Sequence, residues 1–101
     1  MPRSVERVNY DASEPITVTS TAVGFTTAKV GPNRTHAMVT VETDQVRFWA
    51  TGDTPTSTEG HLLNAGDTLL LDSQDQLQSV LFIRVTTDAT IQCSFGLGSQ
   101  G

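Results

Sequence analysis

Cysteine is nearly absent from this chain: Cys93 stands alone among 101 residues. One thiol excludes an intrachain disulfide, the usual support of small secreted domains, and points to folding in a reducing compartment. Basic charge is also scarce, with six Lys and Arg against eleven Asp and Glu and a formal net charge of −5. The basic residues are scattered, with Arg3 and Arg7 near the start, Lys29 and Arg34 flanking a turn, and Arg47 and Arg84 inside apolar runs. Such a chain is poorly suited to a phosphate backbone, so nucleic acid is not an expected partner. Long hydrophobic runs are missing too. The longest, residues 69–71 and 80–83, fall far short of a bilayer span, and no apolar signal segment follows Met1. No membrane partner is expected, and synthesis is expected in the cytoplasm. Asn33-Arg34-Thr35 matches a glycosylation sequon only in form and reads as a loop.

What is present suits strands. The 37% of hydrophobic residues are weighted toward Val, Ile and Leu, with Thr abundant beside them, and β-branched side chains fit a pleated surface better than a helix. The length allows one core and not two. Period-two alternation recurs along the chain. It is seen at Ile16 and Val18 against Thr17 and Thr19, then at residues 25–28 before a Gly31-Pro32-Asn33 turn. In residues 36–43, Ala37, Val39 and Val41 share one face, and in residues 45–50, Val46, Phe48 and Ala50 do; with a break at Thr43-Asp44 the two stretches read as a hairpin. Residues 51–60 hold turn formers with nothing to bury and read as a surface loop. Short strands follow at residues 61–63, 68–72, 79–85 and 89–95, with residues 73–78 a polar connection. The inward rows are expected at Leu81, Ile83 and Val85 and at Ile91, Cys93 and Phe95, with Phe48, Leu71 and Phe82 also in the core.

About seven or eight short strands, joined by connections too short for crossover helices, predict an all-β fold, an antiparallel β-sandwich or jelly roll. Residues 1–15 read as an extended N-terminal arm, residues 16–96 as the β-sandwich domain and residues 97–101 as a flexible C-terminal tail. In the arm, Val5, Val8 and Tyr10 are apolar residues spaced along a polar segment, as expected of an arm that docks on a neighbouring subunit.

Chemistry has little to work with. His36 and His61 read as ordinary surface or edge histidines, too few for a metal site. Cys93 alternates with core residues and reads as a small hydrophobe. The chain has no Gly-x-Ser-x-Gly elbow and no phosphate-cradling glycine pattern. Asp53 and Glu59 read as solvated turn carboxylates rather than calcium ligands. No catalytic, cofactor or metal residue is assigned, and no cofactor is expected. Arg47 and Trp49 share the face of their strand opposite Val46 and Phe48. Either the 51–60 loop covers them, or they contact another subunit or partner, where Trp and Arg often dominate binding.

The segment Leu62-Leu63-Asn64-Ala65-Gly66-Asp67-Thr68-Leu69 resembles the Gly-Asp turn of cupin-like jelly rolls, although the His-x-His pair of metal-dependent cupins is absent. A wider pattern, covering roughly residues 23–96, resembles small virion-associated proteins of tailed bacteriophages. Its parts are Val46-Arg47-Phe48-Trp49, the loop with Gly52-Asp53, Pro55 and Glu59-Gly60-His61, the Ala65-Gly66-Asp67 turn, and later Ile83-Arg84 and Thr87-Asp88-Ala89-Thr90-Ile91. Within that setting a small acidic β domain resembles capsid decoration (cement) proteins. The resemblance implies a non-enzymatic protein of the virion, made in the host cytoplasm. Its partner would be the major capsid protein or another virion protein, and it would form a homo-oligomer with a trimer favoured. The alternatives are a neck or tail component, a carbohydrate-binding sandwich of a tail or fibre with Trp49 stacked on a sugar, and a small cupin-like enzyme.

Overall fold

Alternating apolar residues become strands that each bury one side, and these strands assemble in two antiparallel sheets. The structure is a computed structural model that describes residues 6–100, with side-chain surroundings described for residues 9–97. The strands are β1 (Glu6–Val18), β2 (His36–Val41), β3 (Val46–Trp49), β4 (His61–Leu63), β5 (Thr68–Leu71), β6 (Leu81–Arg84) and β7 (Ala89–Gln100). Helix α1 (Thr27–Val30) lies between β1 and β2, and helix α2 (Gln74–Ser79) between β5 and β6. The larger sheet has the order β1-β7-β2-β5 and the smaller β4-β3-β6.

The pairings nest. β1 pairs with β7, Val23 bridges to Phe82 of β6, β2 pairs with β5, and β3 pairs with β4. The chain is therefore one long antiparallel hairpin with its tip at loop 51–60. It is rolled so that β2 also meets β7 and β3 also meets β6. This is a jelly-roll sandwich whose eighth strand is reduced to the Val23 bridge, closed by Val23 N–H to the Phe82 carbonyl at 2.9 Å and Phe82 N–H to the Val23 carbonyl at 2.8 Å.

The core lies between the sheets. Val39, Val41, Ile91, Cys93 and Phe95 from the larger sheet meet Val46, Phe48 and Phe82 from the smaller. All four phenylalanines of the chain join across this layer. Phe25 stands edge-on to Phe95 at 4.8 Å between ring centres and is tilted against Phe82 at 5.6 Å, and Phe82 meets Phe48 at 6.0 Å. Such edge and tilted contacts add to what burial alone contributes.

Several expectations are corrected. The stretch 25–28, read as a strand, turns into α1: Phe25 is drawn into the aromatic cluster and Val30 is buried behind it, which needs a turn of helix rather than an extended run. The polar connection 73–78 contains α2, started by Ser73, whose hydroxyl accepts the Gln76 N–H at 3.2 Å, and by Gln76, whose amide oxygen accepts the Asp72 N–H at 3.2 Å. The first bond is an N-cap, and the second reaches one residue further back than the return bond of a capping box.

β2 and β3 are not a hairpin. They sit in opposite sheets, and residues 42–45 arch between them, because both strands need the shared core only on one side. In β6 the inward residue is Phe82, fully buried, whereas Leu81, Ile83 and Val85 are half-buried on the other side. Apolar residues occupy both parities of 80–83, and the bulk of Phe82 fits the aromatic cluster. β1 runs through Pro15 to Val18, and β7 runs through Leu97 to Gln100, in continuous register with each other apart from a bulge between Tyr10 and Ala12.

Candidate interaction surfaces

β3 positions the first surface. With Val46 and Phe48 inward, Arg47 and Trp49 face out, Arg47 between Leu62 of β4 and Ile83 of β6 and Trp49 beside Leu81. Loop 51–60 returns toward this strand. Arg47 donates from Nε to the Ser57 carbonyl at 3.1 Å and from Nη1 to the Gly60 carbonyl at 2.9 Å. Pro55 is buried, and Gly60 holds φ of 127°, where a Cβ would stand 3.1 Å from the Phe48 carbonyl oxygen. Only glycine accepts both conditions easily. A tight turn closed by Thr56 and Glu59 completes the loop. Arg47 is thus engaged by its own loop. Trp49 is half-buried, with His61 edge-on to its ring at 5.2 Å. Beside the loop lies an open cleft of about 290 Å³ bounded by Ser20, Thr56, Ser57, Ile83 and Arg84. Arg84 is itself paired with Asp88 at 2.5 Å.

The second surface is the paired ends of the chain. Tyr10 is 38% exposed and Leu97 39%, on adjacent positions of β1 and β7. Val8 lies in β1 opposite Gly98, and Val5 lies outside the described residues. Arg47 and Trp49 therefore share one sheet and Val8 and Tyr10 the other, so these candidates form two surfaces. Sequence reading passed over Leu70, 66% exposed, although alternation with the inward-facing Leu69 and Leu71 marks it.

Burial, with the Glu14 carboxylate adding to it, pushes the Cys93 thiol up to about 12, so it stays protonated and unreactive near neutrality. Glu14 accepts the Thr26 N–H at 3.0 Å and the Thr26 hydroxyl at 2.6 Å. His36, expected at the surface, is buried because β2 is an interior strand of the larger sheet; its Nδ1 lies 2.8 Å from the Thr35 hydroxyl. His61 is exposed on β4 of the other sheet. Asp53 accepts the Thr51 hydroxyl at 3.0 Å. Among the described residues no three His, Cys, Asp or Glu side chains gather as metal ligands, and no helix is long and apolar enough to cross a membrane.

Two carboxylates are tuned by neighbours. The Arg34 guanidinium, 2.8 Å away, holds Asp11 below its ordinary value, and the Thr87 hydroxyl with the Gln45 N–H does the same for Asp44. No family model, no curated protein and no solved structure matches this chain. What fold and surfaces define is a jelly-roll sandwich with two candidate contact surfaces.

Proposed function

We propose that this protein is a non-enzymatic structural component of a tailed-phage virion, a decoration (cement) protein that binds the head shell through the major capsid protein as a homo-oligomer. The observation that carries the reading is the paired chain ends. β2 meets β7 only from Val41↔Ile91 to His36↔Gly96, so Leu97–Gln100 of β7 pair with β1 alone. An isolated two-stranded ribbon is marginal in water and gains by docking. The −5 charge favours protein over nucleic acid as the partner.

The reading is tested by incubating the protein with purified heads that lack it, sedimenting them, and separately assigning it by mass spectrometry to dissected head, neck and tail fractions. Saturable co-sedimentation with heads and recovery from the head fraction are expected. Recovery in the neck or tail fraction, or none in virions, overturns the assignment. The glycan-binding alternative has less support, since Trp49 is half-buried with His61 against its ring.

A further inference from the structure

We propose that the cavity between α1 and α2 is a binding site for a small uncharged aromatic molecule of a single ring. The site does not depend on the virion reading, and failure of either leaves the other standing.

The cavity measures about 130 Å³. Its floor is apolar and closed: Val30 of α1, Leu77 of α2 and Val80 line it, and all three are buried. Phe25 lines it too, with its ring already tilted against Phe82 and edge-on to Phe95. A ligand ring would extend that aromatic cluster, in which edge and offset contacts add to what burial contributes. Thr27 and Gln78 are the exposed lining residues and so mark the mouth. There a hydroxyl and an amide can meet one polar substituent.

Size and chemistry select the ligand. Protein interiors hold few voids larger than a water molecule, so an apolar space of this size needs an account. An engineered apolar cavity of about 150 Å³ in another protein stays dry and takes up benzene, a volume close to the one found here. Drug-sized ligands need about 300 Å³ or more, which excludes larger molecules. None of the described lining residues is charged. A carboxylate or ammonium would therefore lose its hydration with no counter-charge to replace it.

The walls are fixed from outside the cavity. Thr26 donates its N–H at 3.0 Å and its hydroxyl at 2.6 Å to the Glu14 carboxylate, which anchors the start of α1 to β1. The Gln74 amide donates to the Pro32 carbonyl and ties the first turn of α2 to the turn after α1. These bonds set the separation of the two helices without filling the space between them. The site is thus preformed, and little ordering opposes binding. Gly24 keeps one side open, since a Cβ there would stand 3.0 Å from the Val80 carbonyl oxygen and 3.5 Å from Leu81 Cδ2, both on lining residues.

Binding is read on the full chain by titrating phenol into isotope-labelled protein and following each amide and methyl signal by NMR, with benzoate as the charged control. Saturable shifts centred on Phe25, Val30, Leu77 and Val80 are expected, with a Kd on the order of 0.1–1 mM for so few ligand atoms. Benzoate should give no saturable shift. Val30→Phe, which puts a ring into the cavity, should weaken phenol binding at least about tenfold, and Trp49→Ala should leave it unchanged. No saturable shift with phenol, shifts centred elsewhere, benzoate bound as tightly as phenol, or a folded Val30→Phe that binds phenol as before overturns the proposal; so does weakened binding in Trp49→Ala. Where Val30→Phe fails to fold, Gly24→Ala takes its place, with weaker phenol binding expected and unchanged binding overturning the proposal.

Discussion

Phe82→Ala is the perturbation that most directly tests the packing. Phe82 is fully buried, touches Phe25 and Phe48, and is fixed at its backbone by β3 on one side and the paired bonds to Val23 on the other. Strand bonds on both sides keep the surrounding structure from collapsing into the space the ring leaves. The loss is therefore expected toward the upper part of the about 3–5 kcal/mol typical of Phe→Ala in cores. Domains of this size have about 5–15 kcal/mol to lose. With a urea slope of about 1–3 kcal/mol per molar, the midpoint should fall by about 2 M. Fluorescence of the single tryptophan, Trp49, follows the transition, and far-ultraviolet circular dichroism checks that both probes coincide. Ile83→Ala, one residue along on the outward side, should cost distinctly less. A loss below about 1 kcal/mol for Phe82→Ala, or a larger loss for Ile83→Ala, would refute the assigned face of β6.

Arg47→Ala removes both bonds to loop 51–60 and should cost about 1–3 kcal/mol; urea unfolding measures it, and limited proteolysis should show new cutting within the loop, whose unchanged resistance would rule out the latch. Cys93 should resist thiol reagents in native protein and react at once in denaturant, and fast native labelling at neutral pH would contradict its burial. Asp11 and Asp44 have depressed folded values, so their stabilisation is present above the ordinary carboxylate range and is lost as pH falls through the lowered values. Asp11→Asn should flatten that acid dependence, as read from thermal midpoints across the acidic range, and an unchanged profile would remove the Arg34 pair from it. Trp49→Ala should cost about 1–2 kcal/mol, as expected for a half-buried aromatic, read from urea unfolding followed by far-ultraviolet circular dichroism; an unchanged midpoint would mean that the ring contributes nothing to the packing of β3.

Much of the fold was legible in the residues because a sandwich strand needs only a period of two. The faces of β2, β3 and β7 follow directly: Ala37, Val39 and Val41, then Val46 and Phe48, then Ile91, Cys93 and Phe95 are all buried. The Gly66-Asp67 turn was legible for a similar reason. Gly66 has φ of 93°, and the Asp67 carboxylate accepts the Asn64 N–H at 2.8 Å, both local requirements. The start of α2 also had a local mark, Ser73 followed by Gln76, masked by the polarity of the stretch.

Tertiary structure decided what period two leaves open. An arch between sheets and a hairpin within one sheet carry the same alternation, so residues 42–45 give no sign that β2 and β3 part. Parity in 80–83 had no answer until Phe25 and Phe48 were in place to receive Phe82. The pairing of the two chain ends is the clearest case. Residues 6–10 and 96–100 are each too polar or too glycine-rich to announce a strand, and they acquire one because nested pairing brings β1 beside β7. Whether Arg47 reached a partner or its own loop was equally undetermined, since the choice depends on where Ser57 and Gly60 return in space between β3 and β4.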